Sequence, residues 1–414
     1  MSKIIKVTDD ILDKQLDVLP EEVRFCNKCV ISNQRPRISF DKKIKGQCSA
    51  CDYAYEKDNE IDWEERERQL QKVCDEHRSK DGSWDVIVPG SGGKDSGMVT
   101  HKLKHKYGMH PLTITWAPFL YTDIGWKNFT ALKDKGYDNI LIHPDGNLHR
   151  KLSMLAFDLH GDAWDPFGYG QQYLAYHMSV KFNIPLIFFG ENGEIEYGGE
   201  EKHKNMVEAP MEDWEEIFYK GSGPQKLIDA GLKRNVFTRE EIKTTSFDFY
   251  QSPKKEDLER VGSVGHWMSY YERWTPQWNY YYAVENCGFE ANPDRSEGTY
   301  QKYGSIDDKL DGFHWWMAYM KFGICRATYD AAHEIRDGHI NREEAVALVH
   351  KYDGEFPIKH WKDFLKYLDI TEKEFWYVAD KYRNRRVWTP SGAKFAGYSP
   401  EAQYKLWKLN YLVE

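Results

Sequence analysis

Trp84-Asp85-Val86-Ile87-Val88-Pro89-Gly90-Ser91-Gly92-Gly93-Lys94-Asp95-Ser96 is the stretch that decides the fold. The β-branched run Val86 to Val88 predicts a short buried strand, Ser91 to Gly93 a tight turn, and Asp95 to Tyr107 the helix that follows. Glycine suits such a bend because a Cβ would block positive φ and keep a ligand at a distance. Free N–H groups at the helix start, together with the positive end of its dipole, make a seat for an anion such as phosphate. Ser91 and Ser96 add hydroxyl donors, Lys94 a point charge, and Asp95 a carboxylate that can hold Mg²⁺ against phosphate oxygens.

Two familiar phosphate loops do not match. A Walker A loop needs Ser or Thr after its lysine, and here Asp95 follows Lys94. A dinucleotide fingerprint needs a third glycine in register, which is missing. The pattern that fits is S-G-G-x-D-S, and over Ser91 to Ser96 the chain resembles the PP-loop of the ATP pyrophosphatases. That resemblance implies an α/β fold with a HUP-like parallel sheet flanked by helices. It also implies cleavage of ATP between its α- and β-phosphates, with Pro89 to Ser96 on the nucleotide and a substrate oxygen activated as an adenylate.

At 414 residues, two or three domains are expected. A hydrophobic fraction of 41% is enough for a sizeable core, and 15 Trp and 27 Tyr suggest stacking surfaces beyond it. The formal net charge of −9 argues against a protein whose main task is gripping nucleic acid. No apolar run is long enough for a membrane span, and Met1 to Pro20 has no signal-peptide core. The seven cysteines suit a reducing compartment, so a cytoplasmic protein is expected.

In chain order, residues 1–60 read as an arm and a cysteine module. Cys26, Cys29, Cys48 and Cys51 form C-x2-C-x18-C-x2-C, a zinc-ribbon spacing. Four thiolates would fill a tetrahedral Zn²⁺ and leave no open position, so the site reads as structural. An iron–sulfur cluster or a metal-free module are the alternatives. Residues 61–195 read as the nucleotide domain. Asp62 to His77 predicts a linking helix. Pro111 to Trp116, Asn139 to His143 and Ile184 to Phe189 predict further strands, with helices at Trp126 to Lys135, Leu148 to His160 and Gln171 to Phe182. In open parallel sheets ligands bind beyond the carboxyl ends of the strands. Three turns then converge: Ser91 to Ser96, Trp116-Ala117-Pro118, and Gly190-Glu191-Asn192-Gly193-Glu194. By analogy with the superfamily, Trp116 and Gly190 flank the nucleotide. Glu191 and Glu194 are candidate ligands for a second metal or for substrate, or else solvated turn carboxylates.

Residues 196–262 break the strand–helix rhythm and read as an insertion that could act as a lid. Residues 263–414 read as a mostly helical, aromatic-rich region for substrate or partner. Within it, Arg326, Asp330 and Glu334 stand at i, i+4 and i+8 on one helix face. Arg326 could clamp a phosphate and Asp330 orient it or hold a metal, or the three could form a surface salt-bridge ladder.

These stretches together resemble one family, the N-acetyl sugar amidotransferases of bacterial surface-polysaccharide and nonulosonic acid (pseudaminic and legionaminic acid) pathways. The resemblance rests on the paired cysteines, Pro89 to Ser96, Phe189-Gly-Glu-Asn192, Ser305-Ile-Asp-Asp-Lys-Leu-Asp311, Phe322 to Ala331 and Tyr352-Asp-Gly-Glu-Phe-Pro357. It implies ATP- and Mg²⁺-dependent conversion of an acetamido group to an acetamidino group. Lys94, Asp95, Arg326 and Asp330 would be catalytic. Glu191, Asn192, Glu194, Asp307 and Asp308 would lie near a nucleotide-linked or nonulosonic N-acetyl sugar.

Cys74, Cys287 and Cys325 do not sit in a glutaminase context, and Ser2 rules out an N-terminal cysteine nucleophile. Ammonia is therefore expected from a separate glutaminase subunit, with a cyclase-like companion as a further candidate partner. The rival readings are a tRNA-modifying, thiolase-like PP-loop enzyme and a non-catalytic nucleotide-binding scaffold.

Overall fold

Five parallel strands organise the computed structural model, which describes residues 6–208, 214 and 219–414. They are β1 (Val86–Pro89), β2 (Pro111–Trp116), β3 (Asp138–Ile142), β4 (Leu186–Phe189) and β5 (Val264–Trp267), in the order β3-β2-β1-β4-β5. Ile87 pairs with Leu112 on one side and Ile187 on the other, which fixes the register at the centre. Side chains alternate across the sheet. Val86, Val88, Leu186 and Phe188 pack with Met98 and Leu103 on one face, while Ile87, Leu112, Ile114 and Ile187 pack with Leu155 and Leu174 on the other. Burial on both faces is why the central strands read as near-continuous apolar runs.

Helices α1 (Ser49–Asn59) and α2 (Trp63–His77) lead into the sheet. Helices α3 (Lys94–His105), α4 (Asp123–Asp134), α5 (Gly146–His160) and α6 (Asp165–Phe182) then alternate with or flank the strands. From β1 the chain steps outward to β2 and β3, then returns to β4 on the opposite side of β1. The crevice between the carboxyl ends of β1 and β4 is therefore the topological switch point.

The sheet is larger than the sequence suggested. Its fifth strand comes from the region assigned to the aromatic C-terminal part, where Val264-Gly265-His266-Trp267 pairs along Leu186 to Phe189. Four residues with one glycine and one histidine carry almost no strand periodicity. The described part of 196–262 contains the helix Gly223–Lys233, whose Leu227 and Ile228 are buried in the main core beside Phe247 and Tyr250. Residues 209–213 and 215–218 of the expected lid lie outside the described residues.

Within the helical C-terminal region, residues 311–336 form two helices, Asp311–Phe322 and Arg326–Arg336. Gly323 ends the first in the left-handed conformation, at φ 65°, an αL cap that glycine adopts without steric cost. The second starts without a local side-chain cap. Asp353, from the Tyr352-Asp-Gly motif, takes that role from a distance. Its carboxylate accepts from the Cys325 N–H at 3.0 Å, the Thr328 N–H at 2.9 Å and the Thr328 hydroxyl at 2.6 Å. Loss of such a cap costs about 1 kcal/mol.

The four paired cysteines are buried, and their sulfurs lie within 4.8 Å of one another. Cys26 and Cys51 Sγ are 3.8 Å apart, and Cys29 and Cys48 Sγ 3.7 Å. Sulfurs about 2.3 Å from a tetrahedral Zn²⁺ stand about 3.8 Å from each other, so the spacing fits the metal and is far too long for disulfides. The cluster is no free-standing appendage. It shares one apolar core with Ala331, Ala332 and Ile335 of the helix Arg326–Arg336.

Candidate functional site

At the end of β1 the chain turns through Gly90, whose N–H donates to the Ile114 carbonyl at 2.8 Å. Gly92 sits at φ 89°, where an added Cβ would lie 2.5 Å from the Phe129 backbone, so the turn closes only with glycine. Gly93 begins α3 with an extended backbone and no side-chain cap, which leaves the first N–H groups of the helix for a ligand.

Two cavities meet at this turn. The smaller, 410 Å³, runs along Pro89, Gly90, Ser91, Ser96, Trp116 and Gly190. The larger, 620 Å³, is lined by Lys94, Asp307, Arg326 and Asp330 among others. Asp95 and Glu191 belong to both walls. The geometry thus joins the glycine turn to a second, polar chamber through two carboxylates. Trp116, the last residue of β2, is buried with its ring edge-on to Tyr250 at 5.5 Å.

Lys94 pairs with Asp95, and Asn279 donates to the other Asp95 oxygen at 2.9 Å. Glu191 is pushed up to about 7 by burial and then by the Asp95 charge, with Lys94 opposing. Two carboxylates crowded in one buried corner disfavour their own ionisation, and a divalent cation relieves that repulsion. Asp95 and Glu191 therefore fit Mg²⁺ by their chemistry.

The other predicted residues divide. Arg326 reaches Asp330 through Nε at 3.1 Å and Ser305 Oγ through Nη1 at 3.0 Å, with its guanidinium 4.6 Å from the Trp315 ring centre. Asp330 also accepts from the Thr299 hydroxyl at 2.6 Å. The pair is not an exposed ladder, because both side chains line the larger cavity and the third member, Glu334, takes Gln301 rather than a cation. Asp307 faces the same cavity. Burial and then Asp311 raise its carboxyl, while a hydrogen bond with Ser91 lowers it, tying this loop to the phosphate turn.

Three residues expected near substrate have other engagements. Asn192 Oδ1 caps the short helix α7 (Gly193–Glu196) by accepting from the Glu194 N–H at 3.2 Å, and it lines neither cavity. Glu194 reaches the larger cavity but holds Arg37 bidentately at 2.9 and 2.7 Å, with Arg35 at 3.6 Å. Burial would raise its carboxyl, yet Arg37 and then Arg35 hold it at about 2, so its oxygens are committed to fastening the cysteine module. Asp308 accepts from the Phe119 N–H and from the Leu310 N–H at 2.8 Å, bracing its own loop outside the larger cavity.

Sequence reasoning missed Tyr303, Asp311 and Asn279. Tyr303 stacks on Tyr280 at 4.4 Å and puts at the larger cavity a buried hydroxyl with no partner among the described residues. Only the density of aromatics in 265–289 hinted at such a surface. A chain of Ser222, His160 and Asp165, linked at 2.6 Å each, has the connectivity of a hydrolase triad. All three are buried and none lines either cavity described above, so the chain locks the segment after α5 in place.

Glu334 gives a direct test of its surroundings. Burial, then Asp330, pushes its carboxyl from 4.5 up to about 7. A folded-state value raised above the unfolded one means stability that is present below 4.5 and lost as pH climbs through about 7. Glu334→Gln should therefore flatten the fall in Tm between about pH 4.5 and about pH 7, read by calorimetry. An unchanged slope would show that this carboxylate is solvated.

Residues 297–398 match the family model described as "LPS biosynthesis protein WbpG-like, C-terminal domain". A comparison with curated proteins finds no match. Among solved structures, the chain is similar to NMN synthetase from Francisella tularensis, at 9% identity over 57% of this chain and 100% of that one, with a TM-score of 0.26. It is also similar to the NH3-dependent NAD synthetase from Campylobacter jejuni in complex with the nitrate ion. There the identity is 16% over 49% of this chain and 92% of that one, with a TM-score of 0.25. TM-scores this low leave those two likenesses without weight. The chain thus joins a five-stranded parallel α/β sheet, with the glycine turn Ser91 to Ser96 at the end of its central strand, to a stretch, residues 297–398, that matches the WbpG-like C-terminal domain of LPS biosynthesis proteins.

Proposed function

We propose that the protein is an ATP-dependent amidotransferase that turns the acetamido group of an N-acetyl sugar into an acetamidino group, releasing AMP and pyrophosphate. The observation that carries this reading is the pair of cavities sharing Asp95 and Glu191, one at the phosphate turn and one polar chamber beyond it. An adenylation needs that arrangement, because the α-phosphorus must meet a second substrate at the boundary between two pockets.

An amide carbonyl is a poor electrophile for ammonia. Transfer of AMP to its oxygen makes an imidate with a good leaving group. The α3 N-terminus, Ser91, Ser96 and Lys94 receive the departing pyrophosphate, where charge develops. Asp95 and Glu191 would hold Mg²⁺, which would supply charge neutralisation on the phosphates. Arg326, fixed by Asp330, faces the acceptor side, and Tyr303 offers a hydroxyl and a ring to a sugar. The cysteine cluster fits Zn²⁺ as a structural metal. Ammonia comes from a separate glutaminase subunit.

Against a thiolase-like reading stand the three remaining cysteines. Burial pushes Cys74 and Cys287 each up to about 12 and raises Cys325 further, so none is a ready nucleophile.

Mass spectrometry of N-acetyl sugars incubated with protein, ATP and ammonium chloride tests the proposal. The product should weigh about one dalton less than its precursor, NH replacing O, with AMP as the spent nucleotide. ADP as the sole nucleotide product would sink the reading.

A further inference from the structure

A third cavity, 680 Å³, lies behind the larger one and is lined by Thr122, Lys127, Asn292, Arg295 and Thr299 among others. It shares Ser305, Trp315 and Arg326 with the acceptor chamber, and these three residues hold one another. Ser305 Oγ accepts from Arg326 Nη1 at 3.0 Å and from Trp315 Nε1 at 3.1 Å, while the guanidinium lies over the indole. The turn is tightly specified. Ser305 adopts φ 55°, rare for a residue with a side chain, and a Cβ on Gly304 would stand 2.6 Å from Arg326 Nη2.

We infer that ammonia enters through this third cavity and crosses the Arg326–Ser305–Trp315 partition to reach the acceptor. The inference rests on the amidotransferase reading above. With nucleotide in the small cavity and sugar in the large one, nitrogen needs a separate approach to the imidate carbon. The third cavity suits a small neutral visitor better than a phosphate. Lys127 pairs with Glu290 at 2.6 Å, Arg295 with Glu355 at 2.6 Å and Arg326 with Asp330, while Lys309 and Lys359 share the lining with Asp308 and Glu297, so cations and carboxylates are interspersed. Asp330 is gripped from both sides, by Arg326 in the partition and by Thr299 in the third cavity.

The step balances. The ammonia nitrogen bonds to the imidate carbon, one proton leaves that nitrogen for Glu334, and AMP departs with the electron pair of the broken C–O bond. Glu334 lines the acceptor chamber two turns along the helix from Arg326.

All seven native cysteines are buried, so a cysteine placed at Asn292 is the accessible thiol. Asn292→Cys, unlabelled, should behave as wild type with ammonium chloride as nitrogen source and the N-acetyl sugar identified by the one-dalton loss. After labelling with a bulky maleimide, the KM for ammonium should rise about tenfold or more, while kcat and the KM values for ATP and sugar stay put. An unchanged ammonium KM overturns the inlet, as does a rise in the sugar KM instead, which would make the cavity an acceptor subsite. An unlabelled protein that releases no AMP with any sugar overturns the amidotransferase reading and the inlet with it.

Discussion

Asp95→Asn should lower sugar-dependent AMP release by about 10²- to 10³-fold, the size of loss when one stabiliser of a developing anion is removed, here the Mg²⁺ that Asp95 would hold. The substitution changes little else. An asparagine oxygen still accepts from Asn279, which holds Asp95 at 2.9 Å, and α3 keeps its first turn. What goes is the partner of Lys94 and one of the two carboxylates that fit Mg²⁺. The loss should therefore appear mainly in kcat, with a higher Mg²⁺ requirement and an unaltered Tm. Initial rates at several Mg²⁺ concentrations decide it. A variant that keeps wild-type kcat would remove Asp95 from the reacting centre and leave the junction of the two cavities without its assigned chemistry.

Cys29→Ser should empty the cysteine cluster and unfold its surroundings. Structural zinc sites contribute on the order of 10 kcal/mol to folding, more than most domains have to spare. Here the damage extends past the module, because the cluster packs on Ile335 and Ala331 of the helix that carries Arg326 and Asp330. Arg336, at the end of that helix, is buried with Nη2 on the Glu196 carbonyl at 3.0 Å and Nη1 without a hydrogen-bond partner among the described residues. Although burial opposes its charge, Cys29, Cys51 and Cys48 are the first to favour it, so Arg336 is the counter-charge to the thiolates. Metal analysis should find one zinc per chain in the wild type and less than about a tenth of that in the variant, with a Tm lower by about 2 °C per kcal/mol lost. Iron in place of zinc, or a variant with full thermal stability, would refute the structural-zinc assignment.

Much of the sheet could be read from the chain because its strands are buried on both faces and flanked by glycine turns. Val86 to Val88 and Pro111 to Trp116 needed no tertiary information. The cysteine spacing likewise declared its geometry. What could not be read was partnership at a distance. Nothing near Asp353 says that it caps a helix starting at Arg326, and nothing near Glu194 says that Arg37, from the cysteine module, will take both its oxygens. Asn192, Glu194 and Asp308 look like ligand residues in sequence because they are polar and sit at strand ends or in a conspicuous acidic loop. In the folded chain their hydrogen bonds go to backbone and to arginines that no local pattern names.

The fifth strand bears on how the molecule can be dissected. β5 enters the sheet 75 residues after β4 ends, so a fragment stopped at residue 195 would keep the whole turn from Pro89 to Ser96 yet strip β4 of its outer neighbour. Leu186 to Phe189 would then offer bare backbone to other molecules, the usual seed of edge-to-edge aggregation. Such a fragment is expected in inclusion bodies, whereas one carried through Tyr271 would restore the missing pairing.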